Sequence, residues 1–370
     1  MPVAVLGSGA GALAVGAELA RSGRQPVLAD LPEFRSNLDP VLERGGVEVA
    51  SDWFGPQLAP VRVADDLAGA VAGAELVIVV VPCFGHEPFA IALASLLQDG
   101  QALLFFGEGS GSIVARRALL DTGKARVIVG ESNTLPYLAR LTGPGRVSAF
   151  RKSGGVMVAG LPVGGTKVLL ELTLDVWPYL SPAESVWDTV LVNYNAIDHV
   201  ATMVANASTL ENRSGGMLLW GEGATPAVVR MIEAVDSELL ALRGALGLTD
   251  LRPYRDSLIA QGLAPDLSPN LYETLRASRL VAGYAPTASE GGLNSRYLTE
   301  DVPFALVLAS SIGAALGIQT PVIDGLIALT SAMLGQDFRG QGRTLARLGL
   351  TGLDGLGLRD FAETGIFPTR

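Results

Sequence analysis

Proton transfer near neutral pH suits histidine best, and this 370-residue chain has two, His86 and His199. Lysine, the other common proton carrier, occurs three times, at Lys124, Lys152 and Lys167, all in the first half. His199 ends the segment Asn193-Tyr194-Asn195-Ala196-Ile197-Asp198-His199. A carboxylate beside such a ring fixes its tautomer and favours its protonated form. Asp198 adjoins it, but consecutive helical residues point in different directions. Asp301, within Arg296-Tyr297-Leu298-Thr299-Glu300-Asp301-Val302-Pro303, is the better candidate. On these residues alone, two readings stand for each group. His199 is an acid–base group or a structural histidine, and Asp301 is its partner or a helix N-cap ahead of Pro303. With one cysteine, Cys83, and two histidines, no zinc ligand set of His and Cys is expected, and no intrachain disulfide can form.

A second constellation concerns phosphate. Gly7-Ser8-Gly9-Ala10-Gly11-Ala12 follows the apolar run Val3–Leu6 and opens a helical pattern, fitting G-x-G-x-x-G/A with Ala12 in the last position. Gly7 permits the tight turn, Gly9 lets the backbone approach a diphosphate, and a small residue at Ala12 lets helix pack on sheet. Gly7, Ser8, Gly9, Ala10 and Ala12 are thus candidate cofactor contacts, with the anion on backbone N–H groups at the positive end of the helix. Asp30 ends the second apolar run at the separation of roughly 20 residues expected for an acid that accepts from ribose hydroxyls. Its charge would repel the 2′-phosphate of NADP, so NAD is the expected cofactor. Pro82, after Leu76–Val81, lies where a parallel sheet presents residues to a dinucleotide, although it also serves simply to end the strand.

These groups need elements to hold them. Residues 1–150 alternate helical patterns with the strand-like runs Val3–Leu6, Pro26–Ala29, Val47–Ala50, Leu76–Val81, Ala102–Phe106 and Arg126–Val129. Several runs are continuously apolar, as in a parallel sheet covered on both faces. Residues 151–180 read as further strands and turns. From about Asn193 onward the patterns are helical, among them Pro226–Ala245 and Pro321–Leu334. The expected fold is α/β: an N-terminal Rossmann doubly wound sheet over residues 1–185, and an all-helical C-terminal domain over residues 186–370.

Composition narrows the partners. Hydrophobic residues make up 49% and charged ones 17%, enough apolar surface for two cores. With 37 acidic and 27 basic residues the formal charge is −10, and no basic run offers a surface for nucleic acid or an anionic membrane. The start of the chain carries no basic segment, and Glu18 interrupts its apolar stretch, so a cytoplasmic location is expected rather than export. Val302–Ile323 has no charged residue and is long enough to span a bilayer. Its Ser310, Ser311, Gln319, Thr320 and Pro321 favour two buried helices broken at Gly317–Pro321 instead.

At Asn193–His199, Asn294–Pro303 and Gly335–Leu350, the last with Asp337-Phe338 and Gly342-Arg343-Thr344-Leu345, the chain resembles the opine dehydrogenase family. That family comprises octopine and nopaline dehydrogenases and bacterial carboxyalkyl-amino-acid dehydrogenases, and the resemblance runs over nearly the whole chain. It implies an oxidoreductase acting on CH–NH donors, with an α-keto acid and an amino acid as small-molecule substrates and NAD as cofactor. It matches His199 and Asp301 to the family's catalytic pair and Arg296 to an arginine that reaches the cofactor pyrophosphate. Asn195 becomes a candidate substrate contact, and a homodimer the assembly to test. Val200 departs from the proline frequent after this histidine, which would alter the helix start and the pocket. Two rivals remain: a hydroxy-acid or alcohol dehydrogenase of the same architecture, and a catalytically silent NAD-binding sensor.

Overall fold

Every second residue of the first strand faces a different core. Val3 and Val5 pack into one apolar cluster, and Ala4 and Leu6 into the other. Alternating burial on two faces is why the run is apolar throughout. The computed structural model describes residues 2–52, 55–124, 126–213, 216–283, 285 and 291–369. Two units emerge, Met1–Thr189 with Ala362–Gly365, and Val190–Phe361 with Ile366–Arg370.

Among the described residues, the first unit holds all twelve strands: β1 Pro2–Leu6, β2 Gln25–Ala29, β3 Gly46–Ser51, β4 Gln57–Pro60, β5 Arg62–Val63, β6 Leu76–Val79, β7 Ala102–Phe105, β8 Ile128–Ser132, β9 Tyr137–Gly143, β10 Arg146–Arg151, β11 Val156–Gly160 and β12 Leu180–Pro182. Eight form one sheet in the order β12-β11-β8-β7-β6-β1-β2-β5. From β8 to β5 the neighbours are parallel, and β11 then joins β8 antiparallel. The strand order reverses between β1 and β6, whose register sets Val3 beside Leu76. Such a switch point is where doubly wound sheets take their ligand, beyond the carboxyl ends of the strands.

One strand lies elsewhere than the sequence suggests. Val47–Ala50 is not a strand of the parallel sheet. It belongs to β3 in a separate four-stranded sheet of order β4-β3-β10-β9. Its residues alternate, with Val47 and Val49 buried and Ala50 exposed, as in a strand covered on one face only. This small sheet lies over helix Ala10–Arg21, which is buried from Ala12 to Leu19 because both sheets cover it. The place beside β2 goes to β5, which is two residues long.

The second unit is helical, with no strand among its described residues. Helix Pro226–Ala245 has Pro at its first turn and a Thr225 N-cap. The long apolar segment is core: Val302, Leu306, Leu308 and Ile312 are fully buried. Gly317, at φ 69°, ends helix Val307–Leu316, and Pro321 opens the next. Glu238, from helix Pro226–Ala245, accepts from the Val322 and Ile323 N–H groups at 2.8 and 2.9 Å, satisfying that helix's opening donors.

Candidate active site

The turn after β1 has the backbone geometry that a dinucleotide cradle requires. Gly7 has φ 123°, and a Cβ there would lie 2.4 Å from the Val80 carbonyl oxygen. That oxygen belongs to the chain leaving β6, so glycine is required where the two strand ends meet. Gly9 is exposed, and an added Cβ would meet no protein atom within 4 Å, so its open side is free for an approaching phosphate. Helix Ala10–Arg21 starts at Gly9 without a side-chain cap, leaving its first N–H groups for an anion. Ala12 is fully buried, and Pro82 lies half-buried just past β6. At the end of β2, Asp30 accepts from the Leu31 N–H at 2.8 Å and pairs with Ser8, which also receives the Asn37 amide at 3.2 Å. Burial raises the Asp30 carboxyl above its ordinary value, the hydrogen bonds from Ser8 and Leu31 oppose this, and Glu33 adds a second negative charge nearby. These residues fit an NAD dinucleotide: a backbone anion site, and an acid placed for ribose hydroxyls.

The second constellation sits in the helical unit. Asn193 caps helix Tyr194–Ala205 by accepting from the Ala196 N–H at 3.0 Å, which fixes where the helix begins and hence which way His199 points. Val200 therefore does not set the helix start; it is a fully buried residue well inside the helix. Asn195 lies one turn before His199 on the same face and is partly exposed. His199 Nδ1 is 2.8 Å from Asp301 Oδ2, and both residues are buried. Asp301 makes no capping hydrogen bond, so of the two readings open for it the ring partner is the one found.

Around the pair, the chain supplies a rigid aromatic frame. Tyr297 stacks on the imidazole with centroids 3.8 Å apart and planes 10° apart, and the Trp220 ring lies 5.7 Å away. Tyr297 precedes Asp301 by four residues, so helical spacing alone could have placed them on one face. Arg296 pairs with Glu300 at 2.8 Å while its own side chain remains two-thirds exposed. Burial, and secondarily Glu300, push the Asp301 carboxyl well above its ordinary value, with Arg296 acting against them. Behind this helix, the Arg343 N–H donates to the Pro303 carbonyl at 2.7 Å and its guanidinium lies over the Phe304 ring. The Gly342–Leu345 motif thus buttresses the segment that carries Asp301.

Asp198 is the residue that adjacency argued against. Its Oδ2 indeed turns away from the ring, accepting from Trp220 Nε1 at 2.7 Å and Tyr254 Oη at 2.5 Å. Its Oδ1, however, lies 3.9 Å from His199 Nε2. No sequence spacing announces this, because it depends on Trp220 and Tyr254 arriving from distant segments. His86 is buried in the first unit, packed edge-on to Phe105. Lys152 is also buried there, donating to Thr134 at 2.7 Å, and burial pushes its ammonium down to about 7. Among the described residues, no group of three or more His, Cys, Asp or Glu is placed to hold a metal.

Residues 182–334 match the family model described as NAD/NADP octopine/nopaline dehydrogenase, alpha-helical domain. An opine dehydrogenase of Arthrobacter sp. (strain 1C) is 31% identical over 97% of this chain and 98% of its own length. Protein ocs of Agrobacterium vitis is 29% identical over 95% and 96%. A solved structure of octopine dehydrogenase in complex with NADH and agmatine has the same fold. Its TM-score is 0.82 at 21% identity, covering 100% of this chain and 99% of that one.

Proposed function

We infer what this chain does from the family to which it belongs, the opine dehydrogenases: it joins an α-keto acid to the amino group of an amino acid and reduces the product imine at the expense of NADH. The observation that carries the reading is the His199–Asp301 hydrogen bond of 2.8 Å, buried within the helical unit and framed by Tyr297. Asp301 accepts from Nδ1–H, so Nε2 is the ring atom that exchanges a proton with substrate. As the amine adds to the keto carbon, a carbinolamine forms. Nε2–H then protonates its hydroxyl, which leaves as water, and a C=N bond results. NADH, when bound, supplies the hydride that reduces that carbon. Asp301 meanwhile holds the ring orientation, and Tyr297 covers one face of the imidazole, keeping water from it.

NADH oxidation is therefore expected only when keto acid and amino acid are present together. The product should be a secondary amine whose mass equals the sum of the two, less water, plus two hydrogens. Mass spectrometry of reactions with each substrate omitted in turn decides this. Reduction of the keto acid to its hydroxy acid at full rate without amine would leave the simpler dehydrogenase standing. Cofactor binding without turnover across a matrix of keto acids and amines would leave the silent sensor.

Cofactor choice is proposed to rest on Asp30, and cofactor affinity in part on Arg296, whose exposed guanidinium suits a phosphate. NADH should bind more tightly than NADPH, and Asp30→Ser should narrow the gap. Arg296→Ala should weaken NADH by roughly tenfold or more, the worth of a charge-assisted hydrogen bond of about 1.5–3 kcal/mol. One fluorescence titration series measures all three. Tighter NADPH binding by the unmodified protein removes the Asp30 assignment, and unchanged NADH affinity in Arg296→Ala removes the other. A cytoplasmic homodimer completes the proposal, and a solution mass of a single chain would remove the dimer.

A further inference from the structure

His199 has a carboxylate on each side. Asp301 meets Nδ1 at 2.8 Å, and Asp198 Oδ1 stands 3.9 Å from Nε2, the atom assigned to proton exchange. Asp198 is almost fully buried, and its other oxygen is held by two donors, the Trp220 N–H and the Tyr254 hydroxyl. Indole N–H can only donate. Tyr254 is buried beside a negative charge, which keeps its proton on the oxygen and makes it a donor too. Burial raises the Asp198 carboxyl above its ordinary value, with Asp301 adding to this, while the His199 charge and these two bonds work against it and favour the carboxylate. A structural role would not require that charge, because an asparagine oxygen could accept the same two hydrogen bonds.

Resting on the reading of His199 as the proton donor, we propose that Asp198 is a second positioning carboxylate: its charge on the Nε2 side keeps the imidazole protonated at neutral pH, ready to expel water from the carbinolamine. Among the described residues, the other groups facing this assembly are few. Arg296 and Glu300 flank Asp301 with opposite charges, Tyr297 covers the ring, and Asp236 and Tyr194 neighbour Tyr254, Asp236 accepting from its N–H. Of these, Asp198 alone brings a carboxylate to the Nε2 side. No electron or group moves in this role. The proton that leaves Nε2 goes to the departing hydroxyl, and solvent returns it after turnover.

Asp198→Asn isolates the charge, since the amide oxygen keeps an acceptor for Trp220 and Tyr254. With two histidines in the chain, the His199 ring is assigned in the spectrum of 15N-histidine-labelled protein as the signal missing from His199→Ala. An opposite charge this close favours the charged form by about one pH unit or more. The His199 titration midpoint should therefore fall by at least about one unit in Asp198→Asn. The basic limb of the reductive rate profile and the acidic limb of the oxidative one should move toward acid by the same amount. If Asp198→Asn does not fold, Asp198→Ser serves, because it removes the same charge while its hydroxyl, or a water in the vacated space, still accepts from Trp220 and Tyr254, and it must also lower the midpoint. An unchanged midpoint in the folded variant overturns the proposal. Absence of amine-dependent turnover in the unmodified enzyme is the different result that overturns the functional reading beneath it.

Discussion

His199→Ala should lower kcat by roughly 10²–10⁴-fold, the usual worth of a positioned acid–base group, with NADH affinity little changed. The expectation follows from the geometry of the pair. Nδ1 is committed to Asp301 at 2.8 Å, and the ring is clamped by Tyr297 at 3.8 Å, so proton exchange has one atom and one orientation. Asp301→Asn should also depress kcat, because a neutral amide can offer its NH₂ to Nδ1 and stabilise the wrong tautomer. The double variant should be far less than multiplicatively worse, as for residues that act as a unit. Steady-state rates of the four proteins, with NADH titrations beside them, supply the whole cycle. Near-normal turnover in His199→Ala would pass the role to a water, since His86 is enclosed against Phe105 in the first unit.

The turn and the acid of the first unit are legible in sequence for a local reason. Gly7, Gly9 and Ala12 answer to backbone geometry within six residues, and Asp30 to the end of the next strand. The four-stranded sheet is not legible in that way. Val47–Ala50 has the composition of a core strand, and only the long-range pairing of β3 with β10 shows which sheet it joins. Conversely β5, which completes the parallel order beside β2, is two residues long and too short to carry any period. The His199–Asp301 pair lies between these cases. Local patterning leaves Asp301 undecided between cap and partner, because 102 residues separate it from His199. The resemblance names the pair, and the geometry gives the reason: Asn193 sets the start of one helix, and the Arg343–Pro303 hydrogen bond ties down the other. Asp198 is the converse lesson. Adjacent residues on a helix do point apart, but a carboxylate has two oxygens, and one suffices to reach the ring's far side.

Gly7→Ala and Gly9→Ala should separate the two jobs of the glycine turn. At Gly7 the backbone is pinned on both sides. Its N–H donates to the Ala29 carbonyl at 2.8 Å, and the Val80 N–H donates to the Leu6 carbonyl at 2.8 Å. A methyl group there would lie 2.4 Å from the Val80 oxygen and 3.1 Å from Val81 Cγ1, at φ 123°. Neither strand end can yield without breaking a sheet hydrogen bond. Unfavourable φ costs about 1–3 kcal/mol, and overpacking typically costs about 1–3 kcal/mol more. Gly7→Ala should therefore lower the thermal midpoint and, by reshaping the turn, weaken NADH by about 10²-fold or more, since each 1.4 kcal/mol is tenfold. Gly9 is the opposite case. Its backbone is extended at φ −79° and ψ 176°, and an added methyl touches no protein atom. The fold should tolerate Gly9→Ala with an unchanged midpoint, whereas the methyl would stand where a diphosphate must approach the backbone. NADH affinity should fall by roughly tenfold or more, the loss of about one charge-assisted hydrogen bond. Calorimetric midpoints and NADH titrations of the two variants test both halves. A Gly9→Ala protein that binds NADH as tightly as the unmodified enzyme would place the diphosphate away from this turn, and with it the cofactor assignment of Ser8, Ala10 and Ala12.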